Sequence, residues 1–262
     1  MVNLFSKLIS RFTAGNASID LVLDKNIVET GECLHGTFIV RGSGSRQKVN
    51  HIEVDLRAAS KYYDENGHLL TRDESIHSVR VIEAFTIEAD ETLELDFSFD
   101  IPKYMPFTSL TTRFYFKTNL DVSFASDAQD VDHLTILPVG IVKNFMEGMK
   151  LLGCQLIKEA YVHPYQEMRF QCTDWMRGIF DEFEFNLNPY YSHAVVGGLF
   201  ELDKRLLYTH FGSKMDELDF NEIEGIFSFT EEQMATPEKA AETTKEFVEE
   251  VHRRIMYQLT GK

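Results

Sequence analysis

Between about residues 17 and 138 the apolar positions recur at every second residue. Ile19, Leu21 and Leu23 alternate with Ser18, Asp20 and Asp24, and Ile52, Val54, Leu56 and Ala58 alternate with His51, Glu53, Asp55 and Arg57. Leu93, Leu95, Phe97, Phe99 and Ile101 alternate with Glu94, Asp96, Ser98 and Asp100. Phe114, Phe116, Leu120, Val122 and Phe124 stand opposite Arg113, Tyr115, Asp121 and Ser123. Successive side chains on a strand point to opposite faces, so each run predicts a strand with one apolar and one wet face. Several such strands separated by turn signals predict antiparallel sheets stacked as a sandwich. The turn signals are Glu29-Thr30-Gly31-Glu32, Gly42-Ser43-Gly44-Ser45 and Asp64-Glu65-Asn66-Gly67. Asn66-Gly67 is a strong two-residue hairpin signal.

The period changes at the two ends. Residues 1–16 predict a short amphipathic helix with Leu4, Phe5, Leu8 and Phe12 on its apolar side. Pro138 to Gly140 marks a boundary, and a helical stretch from about Ile141 to Leu152 follows it, closed by Gly153. Residues 139–235 read as a second, more weakly patterned β lobe. There Phe183, Phe185 and Leu187 alternate with Glu182, Glu184 and Asn186, and a strand is expected over about Val195–Arg205. Residues 236–262 predict a helix. Thr236 supplies a hydroxyl N-cap, Pro237 takes the first helical position and Glu238 stands in the first turn. Its apolar stripe is Val248, Val251, Ile255 and Leu259, which together with the N-terminal stripe is a candidate contact surface for a partner.

Composition and charge narrow the function classes. The chain has 262 residues with 44% hydrophobic and 26% charged residues, the balance of a globular protein. Twenty-six Lys and Arg against 42 Asp and Glu leave a net charge of −16, which argues against nucleic acid and anionic lipid as partners. Acid gathers toward the C-terminus: twelve carboxylates lie between Lys214 and Glu250 against three lysines. No apolar run approaches the length of a membrane span, and the N-terminus lacks a secretory signal, so a cytoplasmic location is expected. The three cysteines, Cys33, Cys154 and Cys172, are odd in number and widely spaced. They predict reduced thiols rather than a disulfide framework or a zinc site.

The search for chemistry finds no phosphate-binding loop, dinucleotide fingerprint, nucleophile elbow or zinc-protease motif. Nine histidines are scattered, and Asp130-Val131-Asp132-His133, the nearest approach to a ligand cluster, reads as a polar turn entering a strand. No catalytic residue, metal site or cofactor is expected.

The first half resembles the amino-terminal domain of the arrestin clan. The strongest piece is Ile27-Val28-Glu29-Thr30-Gly31-Glu32-Cys33-Leu34-His35-Gly36-Thr37-Phe38-Ile39-Val40, in which Gly36 permits close sheet packing or a bulge. Two further pieces are Val49–Arg57 and Leu95–Pro102, the latter followed by Pro106 and Thr111–Thr118. Within the clan, the order of these pieces is similar to the bacterial sporulation-control arrestin-like family. Pro164–Phe170 and Phe200–Lys204 in the second half add to that likeness. The resemblance implies a mainly β protein with two arrestin-like β-sandwich lobes, a short N-terminal helix and a C-terminal amphipathic helix. It also implies non-catalytic regulation through reversible protein–protein contacts. Arrestins proper carry a basic residue on the strand closing the first lobe. Here that strand reads His133-Leu134-Thr135-Ile136-Leu137-Pro138, which counts against phosphate sensing of the arrestin kind.

Strand parity offers a different polar core. Arg113, Lys117 and Asp121 share one face, Glu201, Asp203 and Arg205 share another, and Asp20, Asp55 and Arg57 are candidates to join them between the lobes. The expected partner is a protein, or a second copy of the chain in a homodimer. Membrane contact is not expected. A membrane-peripheral sorting adaptor and an enzyme with an unrecognised site are the alternative readings.

Overall fold

The computed structural model describes residues 16–63, 66–173, 175–177, 179–180, 182–190, 195–202 and 224–261. The predicted N-terminal helix, with Leu4, Phe5, Leu8 and Phe12, lies outside the described residues. The chain forms two compact units. The first comprises Met1–Ala59, Arg72–Lys103 and Arg113–Leu137, and the second Ser60–Thr71, Tyr104–Thr112 and Pro138–Lys262.

In the first unit the period-two runs become two sheets. β1 (Ser18–Leu23), β3 (Cys33–Arg41) and β7 (Thr92–Asp100) make a three-stranded sheet in the order β1-β3-β7. β2 (Ile27–Glu29), β4 (Gln47–Tyr63), β5 (Leu69–Ile82), β6 (Phe85–Ile87), β8 (Arg113–Val122) and β9 (Ala128–Leu137) make the other. Its order is β2-β9-β8-β4-β5, with β6 also on β4, and β2 runs parallel to β9. Alternation sends Ile52, Val54, Leu56 and Ala58 of β4 and Phe114, Phe116 and Leu120 of β8 inward, all 1% exposed or less. Phe97 and Phe99 of β7 close on Phe116 of β8 at 5.7 and 4.7 Å between ring centroids, so the two sheets share one core. Edge-to-face ring pairs of this kind add to the area buried. Gly36 pairs with Leu23 and with Phe97, and a Cβ there would lie 2.5 Å from the Val22 carbonyl oxygen. Close approach of strands is therefore what requires glycine at this position.

In the second unit, β10 (Cys154–Val162), β11 (Tyr165–Cys172), β12 (Glu182–Leu187), β13 (Val195–Leu202) and β14 (Glu224–Thr230) follow one another as a five-stranded antiparallel meander. Its inner face is covered by two helices, α1 (Gly140–Leu151) and α2 (Pro237–Thr260). The layer opposite this sheet, among the described residues, is helical. Phe145 of α1 meets Phe185 at 5.4 Å and is wholly buried, as are Phe183 and Phe185. Full burial of each such ring contributes roughly 1.5–3 kcal/mol. The two helices touch at Gly148, where a Cβ would come within 2.8 Å of the Ala241 backbone nitrogen. α2 starts as its sequence dictates: Thr236 accepts from the Lys239 N–H, and Pro237 opens the first turn.

The apolar stripe of α2 is a correction to its expected use as a contact surface. Val248, Ile255 and Leu259 are 0%, 5% and 1% exposed inside the second unit's core, and Val251 packs against it. A helix laid on a sheet buries its apolar stripe there, which leaves none of it for a partner.

Candidate functional site: a charge-sorted sheet face

The nine residues of the expected polar core divide between the two units. Asp20, Asp55, Arg57, Arg113, Lys117 and Asp121 fall in the first and Glu201 in the second, while Asp203 and Arg205 lie outside the described residues. In the first unit, parity and register bring Asp55 opposite Lys117 and Arg57 opposite Tyr115 on the outward face of β4 and β8. β5 completes the group. Arg57 Nη1 donates to Asp55 at 2.7 Å, and its Nε donates to Asp73 Oδ1 at 2.9 Å. Tyr115 donates its phenol proton to Asp73 at 2.6 Å, and Ser75 donates to Asp55. Asp55, more than Asp73 and Tyr115, holds the Arg57 guanidinium above its usual range despite burial. Burial and then Asp73 push the Tyr115 phenol up. Asp121 is elsewhere on β8, with Asn50 and His51 at 3.0 and 3.2 Å. Asp20 is raised by burial first and by Asp130 second. Each of these acids on the β4–β8 face has an opposite charge or a neutral donor beside it.

The second unit's sheet is arranged differently. Inward positions of β11 and β12 are Met168, Phe170, Phe183 and Phe185, so Glu167, Arg169, Glu182, Glu184 and Asn186 face outward. A bulge in β10 between Leu156 and Lys158 shifts its parity by one. That extra residue turns Lys158 outward and Glu159 inward, the re-aiming for which bulges are used. The register then sets Lys158 against Arg169, Arg169 against Glu184, Glu184 against Glu201 and Glu201 against Glu224. One row across all five strands thus carries two cations followed by three carboxylates. The neighbouring row ends in Asn186, Leu199 and Ile226, the last two 41% and 79% exposed.

Arg169 is the hinge between the two signs. It donates to Glu184 through Nε at 3.1 Å and Nη2 at 2.6 Å, and its Nη1 lies 3.4 Å from Glu182. Burial draws its guanidinium down, but Glu184, then Glu182 and Glu201, more than offset this and hold it above its ordinary value. Glu167 is raised by burial first and by Glu184 second. Like charges directly opposite each other on neighbouring strands are destabilising, by an amount comparable to the roughly 0.2–1 kcal/mol of a favourable cross-strand pair. Glu184, Glu201 and Glu224 are such a series across β12, β13 and β14, with Arg169 bonded to the first of them.

Sequence reasoning missed the buried polar group of this unit. Glu159 is 2% exposed and accepts from the backbone N–H groups of Thr111 and Thr112 at 2.8 and 3.2 Å and from Gln166 Nε2 at 3.0 Å. The Thr112 hydroxyl donates to Oε1, the oxygen that also accepts from Gln166, and Ser60 Oγ accepts from the Tyr161 N–H at 2.8 Å. This carboxylate fastens the 104–112 segment to β10; its oxygens are already taken by the protein's own donors. The only sequence signal for it was the broken alternation of Leu156-Ile157-Lys158-Glu159.

Among the described residues no cluster of His, Cys, Asp or Glu has the geometry of a metal centre, and no helix is long and apolar enough to cross a membrane.

Comparison with known proteins completes the picture. The family model described as SpoOM protein matches residues 5–206. The sporulation-control protein Spo0M of Bacillus subtilis is 29% identical over 196 residues, covering 70% of this chain and 74% of that protein. The crystal structure of Spo0M from Bacillus subtilis superposes with a TM-score of 0.75 at 22% identity, covering 90% of this chain and 99% of that one. The fold is mainly β and arrestin-like, with a C-terminal helix.

Proposed function

The chain belongs to the SpoOM protein family, and on that premise we propose that it is a non-catalytic cytoplasmic regulatory protein of the sporulation-control type, working by reversible protein–protein contacts. The docking surface is the outward face of the β10–β14 sheet, and the partner is a protein that presents a basic segment. The observation that carries this reading is the row Lys158–Arg169–Glu184–Glu201–Glu224, in which three carboxylates stand side by side next to the exposed Leu199 and Ile226. A face of this kind favours a cationic partner with an apolar anchor, by electrostatic steering and by burial of the two aliphatic side chains. The chain's net charge of −16 works against nucleic acid and anionic membranes as alternatives.

A photo-crosslinking residue at Ile226, compared with one at the exposed Val131 of the first unit, tests the assignment in cells that make the protein. Adducts that form at position 226, carry a basic segment and disappear in the Glu201→Lys, Glu224→Lys variant support it. Equal labelling at both positions, or adducts that survive the charge reversal in a variant with unchanged circular dichroism, overturns it.

A further inference from the structure

We propose that Cys154 and Cys172 form a reversible cross-strand disulfide when the protein meets hydrogen peroxide, which makes the first rung of the β10–β11 ladder an oxidation site. The two residues face each other across these strands, with Sγ atoms 2.8 Å apart. The Thr173 N–H donates to the Gly153 carbonyl at 3.1 Å, so Cys154 and Cys172 are a non-hydrogen-bonded pair of the antiparallel ladder. In such pairs the Cα atoms approach to about 4.5 Å, inside the range that a disulfide spans. No backbone movement is needed to bring the sulfurs together. The remaining cysteine, Cys33, is exposed and lies on β3 of the first unit.

Both thiols are buried, at 2% and 7% exposure, yet the site has an approach. A cleft of about 420 Å³ is lined by Cys154 together with Met146, Lys150, Gly153, Phe170 and Thr173. It is large enough for a small peroxide and its displaced water. Cys172 is not among the residues lining it. Cys154 is therefore the sulfur that meets the oxidant, while its sulfur first, and burial second, push the Cys172 thiol up. Lys150 adds a cation to the cleft wall, where it is also paired with Glu147 at 2.8 Å.

The chemistry runs in two balanced steps. The Cys154 sulfur attacks one peroxide oxygen; the S–O bond forms, the O–O bond breaks, and the thiol proton leaves with the departing oxygen as water. Cys172 then attacks the sulfenic sulfur; the S–S bond forms, the S–O bond breaks, and the hydroxyl leaves as water with the Cys172 proton. Two thiols lose two electrons and two protons, and the peroxide is reduced to two waters. Thiol reductants reverse the reaction through a mixed disulfide. The bond would staple β10 to β11 at the end of the sheet that α1 enters through Gly153.

The test uses the full chain carrying Cys33→Ser. Folded protein is treated with hydrogen peroxide, quenched by alkylation and digested. The expected result is a peptide in which Cys154 and Cys172 are joined, with the loss of two hydrogen masses that dithiothreitol restores. In a second variant, Cys33→Ser with Cys172→Ala, dimedone should label Cys154, because the resolving thiol is gone. Sulfinic acid on either cysteine without the joined peptide overturns the proposal. So does the absence of both the joined peptide and the dimedone adduct at peroxide concentrations that oxidise Cys33 in the native chain, with circular dichroism verifying that each variant is folded.

Discussion

The outward faces of the two units' sheets obey the same period-two rule and use their charges in opposite ways. On β4, β5 and β8, Arg57 lies between Asp55 and Asp73, and Ser75 and Tyr115 supply further donors to those acids. On β10 to β14, cations stand beside cations and carboxylates beside carboxylates, with Arg169 joining the two signs through Glu184 and Glu182. The first face satisfies itself. The second keeps an electrostatic gradient across the sheet, which is the feature the proposed docking rests on. Strand parity creates a wet face; cross-strand register decides whether that face is closed or receptive.

The sharpest way to break this contrast is to remove each arginine. Arg169→Ala leaves Glu184 beside Glu182 and Glu201 with no guanidinium between them, so it should cost the second unit about 2 kcal/mol, within the range for stranding partly buried charge. Trp175, the one tryptophan, packs on Phe183 at 5.5 Å and reports that unit's urea transition by fluorescence. Arg57→Ala should cost the first unit only about 1 kcal/mol, because Ser75 still donates to Asp55 and Tyr115 to Asp73. Amide exchange on β8 and β9 measures it. A larger loss for Arg57→Ala than for Arg169→Ala would show that the first face is the one dependent on its cation.

The same two faces show what a linear reading could reach. Ile52–Ala58 and Leu93–Ile101 were legible because each strand buries one side only, so burial copies the alternation. Asp55, Arg57 and Lys117 were legible as a group because parity selects one face and β4 pairs with β8. Glu201 was expected on a strand of the second lobe and stands on β13 of the second unit, but parity could not tell that its neighbours across the strands are Glu184 and Glu224. β10 was illegible because its bulge exchanges the faces of Lys158 and Glu159 in mid-strand. β14 was obscured by Ile226, an apolar residue on the outward side. The facing of Cys154 and Cys172 depends on register, which spacing along the chain does not encode.

Neutralising one carboxylate at a time sharpens the contrast with a smaller effect of opposite sign in the two units. Glu201→Gln removes a charge that lies between Glu184 and Glu224, and should stabilise the second unit by about 0.5 kcal/mol. The gain should shrink as salt is added, since screening relieves the same repulsion. Asp73→Asn removes a partner of Arg57 and should destabilise the first unit by about 0.5–1 kcal/mol. If both substitutions destabilise, the carboxylate row is not strained and the reading of the second face as receptive loses its basis.

The smallest effect is carried by pH. Glu167 is half-buried beside Glu184, and burial first and Glu184 second hold its carboxyl above the ordinary glutamate value. A carboxyl whose folded-state pKa is raised binds its proton in the native state before the unfolded chain does. Its contribution to stability is therefore complete below the ordinary glutamate range, about pH 4.3, and is lost as pH rises through the raised value. Glu167→Gln should accordingly stabilise the second unit at pH 7 by about 0.2–0.4 kcal/mol, read from the Trp175-detected urea transition, and the gain should close as pH falls toward the ordinary glutamate range. His252 acts in the other direction in the same unit. Burial lowers its ring below the usual histidine range, so its contribution is present above that range and is lost on acidification. His252 is common to both proteins, so the difference between the wild-type and Glu167→Gln curves cancels it and isolates the carboxylate. A difference that stays constant from pH 7 down to the ordinary glutamate range would mean that Gln improves local packing and that Glu167 feels no charge from its neighbour, which would remove like-charge strain from this side of the sheet.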